Sequence, residues 1–360
     1  MGGQDAMSMV KVRPAGLETF VDQVLQAIET PPDIAGQVAH HLVGATLAGH
    51  DSHGVLRLIW YVRSADEGRL DVRARPELVQ ERGGCALFDA HRGFGHYSTI
   101  VALDWALEHA PRHGIASVAV RDSTHIGRLG EYTERAVARG FLAIVTVGNS
   151  GPGSRLTPPF GGRTRALGTN PWSLGVPGRE HDYLYDAATT TVAEGKVRAA
   201  QAKGVDMPPG CITDREGRPT TRPEDFYDGG SMVPLGGDVA GHKGFGLGLG
   251  SALFGSLALA ADAAGTRTEG SLDGVWLLVL DPAAFGDADR YRGIVEGGLA
   301  TIKGVPPVDG VAEVLLPGEP EQRSREVRGA GIPIPDATWR DLQELAERFH
   351  LGSPEVVPDA

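Results

Sequence analysis

Cysteine is nearly absent. Cys85 and Cys211 are the only two in 360 residues, too few for a disulfide framework or a thiolate metal site. That points to a reducing, cytoplasmic setting. Long apolar runs are missing as well. No stretch approaches the length that spans a bilayer, and Met1 to Pro14 lacks the apolar core of a signal peptide. Positive charge is in deficit: 34 Lys and Arg stand against 46 Asp and Glu, a net −12. Such a surface repels phosphate backbones, which argues against a nucleic-acid partner. An anionic substrate therefore needs a local basic pocket. No Walker sequence, nucleophile elbow or zinc-protease helix is present.

Glycine is what the chain has in excess, with 51 residues, roughly double the average share. These glycines are interleaved with Val, Leu and Ile, so tight turns and close backbone approach to a ligand explain them better than low complexity. Leu17, Phe20, Val21, Val24, Leu25 and Ile28 recur at helical spacing, and Pro31-Pro32 ends that helix. Asp33 is placed to cap a second helix through Val38, Leu42 and Leu47, and a third is expected from Val55 to Glu67. After Pro76 the texture alternates. Strands are expected at 78–80, 86–88, 115–120, 141–147, 274–280 and 313–316. Helices are expected at 98–108, 129–139, 245–259 and 336–349. Residues 148–178 and 208–237 read as turn-rich connections of the kind that carries function.

The tract Ser52-His53-Gly54-Val55-Leu56-Arg57 stands out. A histidine gives or takes a proton near neutrality, and a guanidinium three to four residues on grips a carboxylate with two prongs. His125 in Thr124-His125-Ile126-Gly127 is a second acid/base candidate. Each also has a plainer explanation, as a structural histidine at a glycine turn or a solvated helix arginine. Gly93-Phe94-Gly95-His96-Tyr97-Ser98 after a strand imitates a dinucleotide-binding turn, but Ser98 replaces the third glycine and Asp89 to Arg92 lengthens the loop. His50-x-x-His53 has a spacing that metal ligands use on helices, yet no third ligand is evident and no metal is expected.

Separated tracts share one pattern: Ser52-His53-Gly54-x-x-Arg57, His125-Ile126-Gly127, Asn149-Ser150, Gly168-Thr169-Asn170-Pro171, Asp186-x-Ala188-Thr189-Thr190 with Gly195-Lys196, Pro234 to Gly237, Gly241 to Gly246, and Pro317-Gly318-Glu319. In order and spacing the chain resembles the malate/L-lactate dehydrogenase family of NAD(P)-dependent oxidoreductases. Among its branches are ureidoglycolate and sulfolactate dehydrogenases, 2,3-diketogulonate reductase, and reductases of piperideine- or pyrroline-2-carboxylate. The resemblance implies an α/β fold with a mixed sheet, not a Rossmann domain, and a helical lobe built from both chain termini. The expected division is a helical segment at 1–75 completed by 320–360, with a cofactor-binding domain at 76–319. It also implies NAD or NADP as cofactor, a homodimer, and a small carboxylate as substrate.

By the same resemblance His53 and His125 are the acid/base pair, with Ser52 and Arg57 beside them. Arg57, Tyr61 and Asn149 bind substrate. Gly127, Ser150, Asp186, Ala188, Thr189, Thr190, His242, Lys243, Gly318 and Glu319 line the cofactor. Lys196, Arg128 and Arg198 are conceivable partners for a 2′-phosphate. Trp60 stands where many relatives carry a small residue, His242 where an aromatic residue is common, and Gly148 and Gly153-Ser154 also depart from the pattern. The expected reaction is hydride transfer at C2 of a 2-hydroxy or 2-oxo acid. Reduction of a cyclic imine carboxylate is the nearest alternative, and a metal-dependent hydrolase or a non-catalytic nucleotide-binding protein the more distant ones.

Overall fold

A computed structural model describes residues 9–260 and 272–357. The chain opens with strand β1 (Met9–Val12) and helices α1 (Pro14–Ala27) and α2 (Pro32–Leu47), each helix with proline in its first turn, where the missing N–H costs nothing. The expected cap differs. Pro31 holds the cap position of α2, and Asp33 lies inside the first turn, where Arg75 and the Tyr97 hydroxyl take its carboxylate.

The expected helix from Val55 to Glu67 also starts late. Two short 3₁₀ turns, Asp51–His53 and Val55–Arg57, precede α3 (Leu58–Asp66). The reason is Gly54, packed so closely on α2 that a Cβ there would collide with Thr46. The Thr46 hydroxyl in turn accepts the Val55 N–H at 3.1 Å. The acid/base tract is thus pinned to the end of α2.

There follow β2 (Glu77–Arg82), β3 (Cys85–Asp89), α4 (Gly95–His113), β4 (Ile115–Ser123), α5 (Gly130–Ala138), β5 (Leu142–Gly148), β6 (Trp172–Val176) and β7 (Tyr183–Ala187). Then come α6 (Glu194–Lys203), β8 (Ile212–Thr213), β9 (Pro219–Thr220), α7 (Pro223–Tyr227), β10 (Ser231–Met232) and α8 (Gly237–Gly255). The chain closes with β11 (Asp273–Leu280), α9 (Ala288–Lys303), α10 (Glu319–Arg328), β12 (Ile332–Pro335) and α11 (Asp336–Phe349).

Seven strands form one mixed sheet in the order β2-β3-β4-β11-β5-β6-β7. Within it only β3 and β4 run parallel; every other neighbouring pair is antiparallel. A doubly wound dinucleotide-binding sheet is parallel, so the fold is the mixed α/β arrangement that the resemblance implies. β11 inserts between β4 and β5, and all three contribute alternate buried residues, such as Val118, Val145 and Leu277, to the sheet core.

A second core unites the chain's early and late segments. Leu17, Phe20, Val24, Val38, Leu42 and Tyr61 pack with Ile334, Leu342 and Leu345, and β1 pairs antiparallel with β12. A third, small core gathers Val197, Ile212, Phe226 and Met232. It organises the connection at 208–237, which folds into the three-stranded sheet of β8, β9 and β10. Two further expectations fail. Residues 313–316 are irregular, because the Leu316 N–H is taken by the Glu319 carboxylate at 2.7 Å and not by a strand. Helix α8 begins eight residues before the expected Phe245, its buried Gly241, Gly244 and Gly248 letting it lie close against neighbouring backbone. Helices α6 and α9 and strand β6 have no counterpart in the reading of the sequence.

Candidate active site

The two acid/base candidates come from different layers and meet. His53 ends the first 3₁₀ turn; His125 follows the C-terminal end of β4, its backbone locked by the Thr124 side chain, which bonds the Gly93 carbonyl and the Gly95 N–H. The two imidazole rings lie 5.4 Å apart and nearly parallel, at 21°. Ser52 Oγ lies 2.9 Å from His53 Nδ1. The Tyr61 hydroxyl, fully buried, lies 2.7 Å from His125 Nδ1 and 3.3 Å from His96 Nε2.

Arg57 donates its Nε–H to the Ser52 carbonyl at 2.8 Å, and its guanidinium lies 6.0 Å from the Trp60 ring centre. Its two terminal amino groups have no partner among the described residues, leaving both prongs open. Trp60 meets His125 edge to face at 6.3 Å. Asn149 donates its amide to Asp273, which lies at the start of β11 and is only 5% exposed.

Every histidine of the cluster is held neutral. Burial, followed by the charge of Arg57, pushes His53 down to about 3 and His125 well below the usual imidazole range. Burial likewise depresses His41 and His96 and raises the Tyr61 phenol. A carboxylate seated on Arg57 would offset the second cause and raise both imidazoles part of the way, with burial, the larger cause, still in place.

The sequence did not single out His41, His96 or Asp273. His41 accepts the Arg128 backbone N–H at 2.9 Å and meets His96 edge to face at 4.7 Å. Gly127 (φ 72°) passes so close that a Cβ would strike both rings. A signal for His41 was available: it sits on the apolar face of α2 with Val38, Leu42 and Ala45, all buried.

Helix α10 braces the His53 tract from behind. Glu321 pairs with His50 at 3.0 Å, Arg328 with Asp51, and Ser324 Oγ donates to the Leu47 carbonyl. The metal-ligand alternative loses its geometry here, because His50 turns to Glu321 and His53 to Ser52. Among the described residues, the only His and carboxylate atoms that converge as ligands do are those of Glu180, His181 and Glu296, outside this cluster.

The expected cofactor residues have varied surroundings. Asp186 accepts the Gly130 N–H at 2.7 Å and faces the buried Arg128 guanidinium at 3.9 Å. Thr189 and Thr190 spend their hydroxyls on the carbonyls of Thr169 and Val192, with Ala188 partly exposed before them. Lys243 and His242 are exposed on the first turns of α8. Glu319 is held by Lys303, and Gly318 (φ 99°) begins α10 where a Cβ would sit 3.0 Å from Leu184. Ser150 Oγ is buried with no hydrogen-bond partner among the described residues, and a Cβ on Gly241 would meet the Phe160 ring at 3.1 Å. The orphaned Ser150 hydroxyl fits a nicotinamide cofactor, which Ser150 and the exposed Lys243 would hold.

Comparison with known proteins follows the same lines. The sequence pattern of the family described as malate/L-lactate dehydrogenase matches residues 12–343. The hydroxycarboxylate dehydrogenase B of Escherichia coli O157:H7 is 36% identical, covering 96% of this chain and 95% of that protein. The solved sulfolactate dehydrogenase of Methanocaldococcus jannaschii superposes with a TM-score of 0.86 at 28% identity, over 95% of this chain and 98% of that one. The Δ1-piperideine-2-carboxylate reductase of Pseudomonas syringae pvar. tomato does so with a TM-score of 0.79 at 28% identity, over 93% and 99%.

Proposed function

The chain belongs to the malate/L-lactate dehydrogenase family and is an oxidoreductase; from that premise we propose that it interconverts a small 2-hydroxy acid and its 2-oxo acid. A bound nicotinamide cofactor supplies or accepts the hydride at C2. The observation that carries the reading is the pair of facing imidazoles, 5.4 Å apart, next to a guanidinium with both prongs open. Arg57 grips the substrate carboxylate, fixing C2 relative to the histidines. His53 and His125 face the oxygen on C2, where a proton must arrive on reduction and leave on oxidation. Asn149, held by Asp273, and the Trp60 ring bound the space beyond C2.

Either NAD or NADP meets these requirements. Of the three cations considered for a 2′-phosphate, Arg128 is buried against Glu134 and Arg198 is paired with Glu194. Lys196, exposed in the first turn of α6, is the one left, and any preference for NADP rests on it. The outer face of α8 shows Leu247 and Leu253, and Leu257 follows just past its end, the last two more than half exposed. A second copy of the chain covers that face in the homodimer we propose. The reduced thiols Cys85 and Cys211 suit a cytoplasmic site of action.

The test uses the purified chain with NADH and with NADPH, against pyruvate, oxaloacetate and sulfopyruvate, alongside piperideine- and pyrroline-2-carboxylate. Turnover of a 2-oxo acid is the expected result. Turnover of the cyclic imines alone would favour the second reading, which the resemblance to the piperideine-2-carboxylate reductase fold supports. Cofactor binding without turnover of any of these compounds would overturn both.

A further inference from the structure

The proposed reaction leaves open how two neighbouring histidines divide the work, and the buried cluster behind them bears on this. Tyr61 has one hydroxyl proton and lies between two ring nitrogens, His125 Nδ1 at 2.7 Å and His96 Nε2 at 3.3 Å. Three wirings are conceivable. If both rings donated to the oxygen, the hydroxyl proton would have no acceptor in a site with no exposure to water. If Tyr61 donated to His96, the His96 proton would be forced onto Nδ1, which is buried and has no partner among the described residues. An orphaned N–H is costlier and rarer than an orphaned lone pair. The third wiring has Tyr61 donating to His125 Nδ1 and accepting from His96 Nε2–H, which leaves only a lone pair unpaired. The distances agree with it, since O–H donors form shorter bonds than N–H donors.

We propose that Tyr61, backed by His96, locks His125 in the tautomer whose proton lies on Nε2, so that His125 is a fixed hydrogen-bond donor to the substrate oxygen while His53 exchanges the proton. The division rests on the proposed dehydrogenase reading, but the tautomer does not. His125 cannot give its proton away through this chain. Refilling Nδ1 would take the Tyr61 proton, and refilling Tyr61 would take the His96 proton, leaving an anionic imidazole with no partner. Nor can His41 supply a proton: its Nε2 accepts the Arg128 N–H, and its Nδ1 has no hydrogen-bond partner among the described residues. The relay is closed. His53 is different: both rings are partly exposed, but its Nδ1 meets the hydroxyl of Ser52, which is itself partly exposed, whereas the Tyr61 behind His125 is fully buried. In reduction His53, protonated from solvent, gives that added proton to the C2 oxygen and returns to the neutral ring, and in oxidation the neutral ring takes the proton back. Tyr61 and His96 act as positioning residues, through His125.

The test is a long-range ¹H–¹⁵N spectrum of the full chain labelled at histidine, without cofactor or substrate, with His125 assigned by its loss in His125→Asn. A neutral ring protonated at Nε2 is expected. Protonation at Nδ1, or a mixture of tautomers, overturns the proposal. In Tyr61→Phe the His125 signal should become a mixture, and kcat for the 2-oxo acid should fall about tenfold with KM within twofold, a partial form of losing an oxyanion-type donor. An unchanged tautomer in that variant also overturns it. Should the variant not fold, the wild-type spectrum decides alone. If the spectrum shows Nε2–H but no 2-oxo acid turns over, the proposed function fails and the tautomer assignment stands.

Discussion

The two walls of the cleft are held by different physics. Behind His53 stand polar pairs that water reaches in part: His50 with Glu321 and Asp51 with Arg328. Behind His125, among the described residues, no charged group lies at hydrogen-bond range, only neutral buried rings joined through the Tyr61 hydroxyl and edge contacts with His96 and His41. Exposed ion pairs are weak and screened by salt; buried neutral networks are stiff and costly to break. Both rings are partly exposed; what differs is the backing, a half-buried serine behind His53 and fully buried Tyr61, His96 and His41 behind His125.

The sharpest way to break this contrast is kinetic. His53→Ala should lower kcat by about 10³-fold, as loss of an acid/base does, and His125→Ala by about 10²-fold, as loss of an oxyanion donor does. Steady-state rates on variants with unchanged circular dichroism check this; a larger loss at His125 reverses the assignment. Next, Arg57→Ala should raise KM for the 2-oxo acid by about 10²-fold, the worth of a two-pronged charged contact. A change confined to kcat would remove Arg57 from the carboxylate.

Acid should then weaken both sides, and the His125 side more. His41, His96 and His125 there, and His53 opposite, are depressed below the ordinary imidazole value, so the unfolded chain binds protons that the folded one refuses. Stability therefore falls as pH drops below about 6.5, by up to about 1.4 kcal/mol per pH unit for each such ring. Urea unfolding at pH 7 and pH 5 measures this, and equal midpoints would mean the cluster is already charged. The smallest effect belongs to the ionic wall. Glu321→Gln should cost about 1 kcal/mol or less, and the difference should vanish in 1 M salt, where the screening length is about 3 Å.

Much of this molecule was legible because strong periodicity met ordinary side chains. The apolar spacing of Leu17 to Ile28 and of Val38 to Leu47 located α1 and α2, and the alternation in Ile115 to Val120 located β4. What escaped was hidden in glycine. Helix α8 carries Gly237, Gly241 and Gly244 in its first turns, residues with poor helix propensity that packing overrides. Strand β6 lies inside a Gly- and Pro-rich stretch, and its pairing with β5 and β7 depends on partners remote in sequence. In the site, His53, Arg57 and His125 were marked by their motifs. His96 lay inside what read as a failed dinucleotide turn, and Asp273 at the start of a plain apolar strand. Neither has a local signal: His96 acquires its role only when α4 meets α3, and Asp273 only when β11 pairs with β5.

The ribbon of β1 and β12 also bears on how the protein is made. Val12 pairs with Ile332, about 320 residues later, so the lobe holding His53, Arg57 and Tyr61 cannot close until nearly the whole chain has left the ribosome. At about 5–20 residues per second, α1 and α2 wait roughly 16–60 s with Leu17, Phe20 and Leu42 uncovered. During that time the sheet, whose strands all lie between, is free to form first. The lobe that carries His53 and Arg57 then closes after the sheet has been free to form, and is assembled onto it.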